Sequence, residues 1–217
     1  SWAVNLIWLD TDQVLGRSSY YVQKMAAENR PTYNVKSNLT MSAPQQMEYN
    51  AGRFGFGSWN TQVEFSDVKV TRADGTAVPL DLAKSAEQKG TWNLKDGLLS
   101  QTSLETPTKY IVDGFSGNEF TLECRVRKTG GHEGFFIYFG LSEDNKKGFV
   151  YNVAGWNNQT TAIEGVAEGR TAGVVSDRVA QSLENDQWYD VKMVVTPLKS
   201  ELYMDGKLIV SYSPETT

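Results

Sequence analysis

Beyond residue 42, apolar and polar positions alternate in short segments separated by Gly, Asp-Gly or Asn-rich turns. A period of two in runs this short predicts an antiparallel β-sandwich rather than strand-helix-strand units. Phe120, Leu122, Cys124 and Val126 point one way, and Thr121, Glu123, Arg125 and Arg127 point the other. Tyr189, Val191, Met193 and Val195 likewise share a face opposite Asp190 and Lys192. The run Phe135-Phe136-Ile137-Tyr138-Phe139 is apolar on both faces, which predicts a central strand. Between residues 61 and 70 the phase set by Val63 and Phe65 slips before Val68 and Val70, placing a β-bulge at Ser66-Asp67. Further strands are predicted over 90–100, 109–112, 148–153, 160–166, 171–175 and 202–211. Asp74-Gly75, Asp96-Gly97 and Asp205-Gly206 supply hairpin turns, since Gly readily takes positive φ and Asp tolerates it. This number of strands suits a large two-sheet jelly roll.

The first part of the chain follows a different pattern. Asn5-Leu6-Ile7-Trp8-Leu9-Asp10 predicts a buried strand. Tyr21, Val22, Met25 and Ala26 form one helical stripe over 19–28, with Ser18 or Ser19 as its N-cap. One strand and one helix cannot bury a core. A nearly continuous apolar strand needs cover on both faces, as in a parallel sheet, so its neighbours are expected before Ser1. A first residue other than Met fits an excised or processed segment. The expected organisation is a strand-helix unit over 1–35 and a sandwich over 36–217.

Composition narrows the chemistry. The 217 residues carry a formal charge of -5 with a pI near 5.0, and the Lys and Arg residues are not clustered in sequence. Nucleic acid is therefore not an expected partner. No apolar run reaches the ~18–20 residues of a membrane span, and the first thirty residues lack the order of a signal peptide, so the compartment stays open. Cys124 is the only cysteine and His132 the only histidine. That excludes an internal disulfide and a Cys/His zinc site, and leaves nucleophilic catalysis only to a Cys124–His132 pair. Cys124 continues the apolar face of its strand, so the expectation is an inert core thiol.

Sugar rings present apolar C–H faces and hydroxyl rims, so a sugar site wants an exposed aromatic ring beside amides or carboxylates. Two segments offer this. One is Tyr151-Asn152-Val153-Ala154-Gly155-Trp156-Asn157-Asn158-Gln159, with Tyr151, Asn152, Trp156 and Asn157 as candidates; the other is Trp59-Asn60-Thr61-Gln62, with Trp59 and Asn60. The alternative is that Trp156 and Trp59 plug the open ends of the sandwich while the amides satisfy turns. Trp92 and Trp188 are assigned to the core. His132-Glu133, after Gly130-Gly131, is placed at a site rim or on an exposed turn. Asp113, Asp144 and Asn145 are the oxygen donors a structural calcium would use, but there is no Asp-x-Asp-x-Asp loop and no cofactor is expected.

The opening segment, with Ser19-Tyr20-Tyr21-Val22-Gln23-Lys24-Met25 as its most specific stretch, resembles the last strand and helix of the catalytic barrel in glycoside hydrolase family 51 α-L-arabinofuranosidases. The resemblance implies a parent enzyme that removes arabinofuranosyl groups from plant glycans by a retaining mechanism, with two carboxyl groups about 5 Å apart. It places both carboxylates on earlier strands, so this chain is expected to be inactive alone, and Gly117-Asn118-Glu119 only mimics the family's Asn-Glu dipeptide. The remainder is similar to laminin-G-like, concanavalin-A-like sandwiches. The matching segments are Gly90-Thr91-Trp92, Asp96-Gly97-Leu98-Leu99-Ser100-Gln101, Glu133-Gly134-Phe135-Phe136-Ile137, Trp188-Tyr189-Asp190-Val191-Lys192 and Leu202-Tyr203-Met204-Asp205-Gly206-Lys207-Leu208-Ile209. In such sandwiches a segment like 52–70 normally comes last, so the resemblance implies a circular permutation in which 52–70 pairs near 120–127 or 202–211. The implied partners are the upstream barrel and arabinose-containing oligo- or polysaccharides. The alternatives are a purely structural sandwich and a stand-alone concanavalin-like hydrolase, for which the paired glutamates at short spacing are missing.

Overall fold

The computed structural model describes the backbone of Ile7–Asp10 and Gln13–Gly16 and, in full, residues 52–213. The chain separates into two compact units, Ser1–Met41 and Ser42–Thr217. In the first, β1 (Ile7–Asp10) pairs antiparallel with β2 (Gln13–Gly16), from Ile7 opposite Gly16 to Asp10 opposite Gln13. The predicted strand is present, but the partner described for it is a hairpin neighbour rather than a parallel one. The helix expected over 19–28 lies outside the described residues.

The second unit is the expected sandwich of two antiparallel sheets. The first sheet contains β4 (Thr61–Arg72), β5 (Ala77–Val78), β7 (Trp92–Lys95), β8 (Leu98–Gln101), β10 (Phe120–Gly131), β16 (Trp188–Val195), β17 (Ser200–Met204) and β18 (Lys207–Tyr212). Its order is β18-β17-β16-β10-β4-β8-β7, with β5 on β4. The second contains β3 (Arg53–Ser58), β6 (Ser85–Lys89), β9 (Lys109–Val112), β11 (Phe135–Leu141), β12 (Gly148–Ala154), β13 (Thr160–Ala167), β14 (Arg170–Val174) and β15 (Val179–Ala180). Its order is β14-β13-β12-β11-β3-β9-β6, with β15 on β13.

Alternation sets the register throughout. Phe120, Leu122, Cys124 and Val126 of β10 enter the core with Tyr189, Val191, Met193 and Val195 of β16, and the two sets lie opposite one another from Phe120 with Val195 to Val126 with Tyr189. Burial pushes the Cys124 thiol up to about 12, so it stays protonated and inert. β11 is buried along its whole length, with Phe135, Ile137 and Phe139 facing the core. Phe136 and Tyr138 belong to a second apolar cluster, with Ile111, Leu141, Val150 and Val166. Between β4 and β10, Lys69 faces Glu123 and Ser66 faces Arg125, so Asp67 and Val68 together oppose Cys124. This is the expected bulge, set one residue later than Ser66-Asp67, and Asp67 takes it at φ 53°.

Residues 52–70 are divided between the sheets: 61–72 pair with β10 as expected, while 53–58 lie between β11 and β9. The crossing occurs at Trp59-Asn60, and this corner positions the candidate site. Trp92 joins the core edge, 5.2 Å from Tyr110 between ring centroids. Trp188 does not. It faces outward, with the Arg125 and Arg127 guanidiniums 5.2 and 4.7 Å from its ring centroid. Its parity is opposite to that of Tyr189, which a strand enforces.

Candidate functional site

The outer face of the second sheet carries a groove. On three neighbouring strands Phe136 lies opposite Asn152, and Asn152 opposite Ala162, which brings Glu164 diagonally beside Asn152. The Asn152 Nδ2 donates to Glu164 Oε2 at 2.9 Å. Trp59, Glu133, Phe136, Asn152, Trp156 and Glu164 line a cavity of about 250 Å³. It shares Trp59 and Thr171 with a larger cavity of about 680 Å³ bordered by Lys89, Lys109, Lys146 and Arg170. The two form one groove, of a size that takes small ligands or short chains.

Three turns build the narrow end, and hydrogen bonds interlock them. At the β3–β4 corner the Thr61 hydroxyl donates to the Trp59 carbonyl at 2.8 Å and accepts the Glu133 N–H at 2.9 Å. Asn60 takes φ 48°, and its carbonyl accepts the His132 N–H at 3.0 Å. Glu133 reaches across in turn: its Oε1 accepts the Asn157 N–H at 3.3 Å. Gly134 N donates to the Ala154 carbonyl at 2.9 Å, and Ala154 N donates to the Thr161 hydroxyl at 3.0 Å.

The turn after β12 is unusual. Gly155–Asn158 forms a single helical turn that is left-handed at Trp156 (φ 50°, ψ 60°) and Asn157 (φ 63°, ψ 40°), and Ala154 and Asn158 also have positive φ. Asn tolerates this region, but for a residue as bulky as Trp it costs about 1–2 kcal/mol. Gly155 leaves room for the Asn152 amide: a Cβ there would lie 2.2 Å from Asn152 Oδ1 and would displace that side chain. The Asn158 amide imitates a strand partner, donating to the Leu183 carbonyl and accepting the Leu183 N–H, both at 2.9 Å. The Arg178 guanidinium lies 4.1 Å from the Trp156 centroid and fixes the ring. The strained conformation is thus held from several sides, at the point where an indole meets the groove.

Of the six candidate sugar-binding residues, Trp59, Trp156 and Asn152 line the groove. Asn60 and Asn157 stand at its margin and contribute main-chain geometry. Tyr151 is a correction: it is fully buried in the core, and its hydroxyl meets Ser200 Oγ. Adjacent residues of one strand face opposite ways, so Tyr151 and Asn152 cannot both reach the groove. Glu133 lines it as the rim reading expects, whereas His132 is exposed beside it. The sequence pattern assigns Phe136 to a central strand without marking it for a site, and it does not mark Glu164 or Arg178. The available signal for Glu164 was its parity, one residue out of phase with the inward Ile163. Asp144 is engaged in its own turn, accepting the Ser142 hydroxyl at 2.7 Å and the Lys146 N–H at 3.1 Å. Among the described residues no group of three or more acidic, His or Cys side chains is placed to hold a metal ion.

Burial pushes the Glu133 carboxyl up from its ordinary 4.5, and the Glu164 carboxylate adds to this, against N–H donation from Asn157 and Trp156. A raised carboxyl binds its proton more tightly in the folded state. Its contribution is therefore most favourable below pH 4.5 and is lost as pH rises through the folded value. Glu133→Gln keeps the acceptor oxygen and removes the charge, so it is expected to raise the urea midpoint at pH 7 and to leave it unchanged at pH 4. An equal shift at both pH values would show that the charge is not the cause.

The chain is 29% identical over 213 residues to an extracellular exo-alpha-L-arabinofuranosidase of Streptomyces chartreusis; the match covers 95% of this chain and 25% of that protein. The chain thus spans about a quarter of the length of this relative. No solved structure matches it. The sequence profile of the 3-keto-alpha-glucoside-1,2-lyase-like domain matches residues 81–217, which is most of the sandwich and more than half of the chain. By that match the protein belongs to the 3-keto-alpha-glucoside-1,2-lyase-like domain family.

Proposed function

We propose that the chain is a non-catalytic region of a larger α-L-arabinofuranosidase and that its sandwich binds arabinose-containing glycan chains for a catalytic barrel in the same polypeptide. The observation that carries this is the convergence of Trp59 and Trp156, distant in sequence, on one groove with Asn152, Glu133 and Glu164. Indole faces beside amide and carboxylate oxygens are the combination that sugar C–H faces and hydroxyls require. The match to the Streptomyces chartreusis enzyme over nearly the whole chain supports the parent activity and an extracellular place of action. In this reading residues 1–35 are the last strand and helix of a family 51 barrel, and 36–217 are an ancillary, circularly permuted, laminin-G-like sandwich. Titration of the chain with arabinan and arabinoxylan oligosaccharides should give a saturable change in tryptophan fluorescence that Trp156→Ala removes. No response at millimolar ligand would favour a sandwich that only supports the barrel. Release of arabinose from an aryl arabinofuranoside by this chain would overturn the non-catalytic assignment.

The carboxylate pair favours a second reading, suggested by the family's own description. A ketone at C3 of a glucoside acidifies the C2–H, so elimination across C1–C2 needs a base for that proton and an acid for the departing C1 oxygen. Glu164 and Glu133, the latter with its carboxyl raised, are the groove residues that would serve. The product is a conjugated enone. Growth of enone absorbance on incubation with a 3-keto-α-glucoside, abolished by Glu133→Gln, would select this reading over binding alone.

A further inference from the structure

We infer that the wide end of the groove is a subsite for a carboxylate-bearing sugar, so that the preferred ligand is a glycan chain carrying a uronic acid next to its neutral residues. This rests on the sugar-binding reading above. The floor of the wide end is Lys109, only 4% exposed. Its Nζ is fixed 3.0 Å from Glu87 Oε1, 3.2 Å from the Gly169 carbonyl and 5.5 Å from the Tyr138 ring centroid. Lys89, Lys146 and Arg170 stand exposed around it. The loops carrying Lys146 and Arg170 are tied together by the Gly169 N–H donating to the Lys146 carbonyl at 3.0 Å.

Four cations, Lys89, Lys109, Lys146 and Arg170, face three carboxylates, Glu87, Asp144 and Glu168, which leaves the wide end net positive by one. Glu87 is engaged by Lys109, and Asp144 is held in its turn by Ser142 and the Lys146 N–H, which with the Lys146 charge keep its carboxyl below the usual range. Glu168 remains. Among the described residues no carboxylate lies within ion-pair distance of Lys89, Lys146 or Arg170. On a chain of net charge -5, this local positive excess attracts an anion that the rest of the surface repels. Arg170 offers the planar fork that a carboxylate accepts in two parallel hydrogen bonds. The shared Trp59 supplies an apolar face for a sugar ring at the junction of the two halves.

Calorimetry with a neutral arabinoxylo-oligosaccharide and with the same oligosaccharide carrying one glucuronic acid branch tests this. The acidic ligand should bind roughly tenfold more tightly at low salt, with the advantage shrinking as salt is raised. Lys146→Gln combined with Arg170→Gln should remove the advantage and leave neutral affinity unchanged; both positions are exposed, so the fold is kept. Equal affinity for the two ligands in the unaltered chain would overturn the acidic subsite while leaving sugar binding intact. Absence of binding by either ligand would overturn both. An advantage that survives the double substitution would overturn the wide end as the acidic subsite.

Discussion

Replacing Phe135 by alanine is expected to destabilise the sandwich by about 3–5 kcal/mol, a large part of the ~5–15 kcal/mol that holds a domain folded. Phe135 is fully buried at the start of the central strand β11, opposite Val153 of β12 and Ser58 of β3. Its ring meets Phe65 of the first sheet edge to face, with centroids 6.0 Å apart, and so joins the two layers. The neighbours cannot close the gap, because β11 is clamped by ladders on both sides and Gly134 admits no side chain: a Cβ there would lie 2.1 Å from the Val153 carbonyl oxygen. Urea unfolding should show a lower midpoint at an unchanged m-value. A loss below about 1 kcal/mol would mean that the site collapses around the smaller residue or that Phe135 is not at the centre of the core.

The same strand shows why the fold was legible in the sequence while the site was only partly so. Period-two alternation assigns Phe135 and Phe136 to opposite faces and, with Asp-Gly turns, marks out most of the strands. It fails for β6, Ser85-Ala86-Glu87-Gln88-Lys89, an edge strand with almost no apolar residue, held through pairing with β9. Trp59 and Trp156 were identified as aromatics beside amides. Their meeting is a property of topology: a corner between sheets and a turn after β12 are brought together by bonds from Thr61 and Glu133. Tyr151 stands among amides in the sequence, but its parity, opposite to that of Asn152, turns it into the core. The left-handed turn had only a faint signal in Asn157-Asn158, since nothing in a tryptophan predicts φ 50°.

That turn also links stability to function. Strain at Ala154 and Trp156 persists because Glu133, Asn158 and Arg178 hold it, and one of these, Glu133, is itself less stable in the folded state when charged. A sandwich selected only for stability would place glycine at 156 and a neutral residue at 133. In the sugar-binding reading proposed above, contact of the indole and the carboxylate with the ligand offsets a backbone cost of about 1–2 kcal/mol.

Trp59→Ala is expected to weaken glycan binding about thirtyfold, close to 2 kcal/mol, for neutral and acidic ligands alike. Trp59 borders both halves of the groove and is 38% exposed, so its ring is available to a ligand in either half. Its backbone is fixed independently of the ring: Thr61 binds its carbonyl, and Ser58 Oγ donates to the Thr61 carbonyl at 2.6 Å. The substitution should therefore leave the urea midpoint nearly unchanged and act on binding alone. Trp156→Ala removes one aromatic face but also relieves a strained position and frees Arg178, so its effects on stability and affinity are mixed. This contrast orders the groove. A uniform loss from Trp59→Ala, beside a loss confined to acidic ligands from Lys146→Gln with Arg170→Gln, would mark Trp59 as the platform common to both halves. A loss confined to one ligand class would instead split the groove into separate sites, and unchanged affinity for both classes would place the sugar elsewhere on the sandwich.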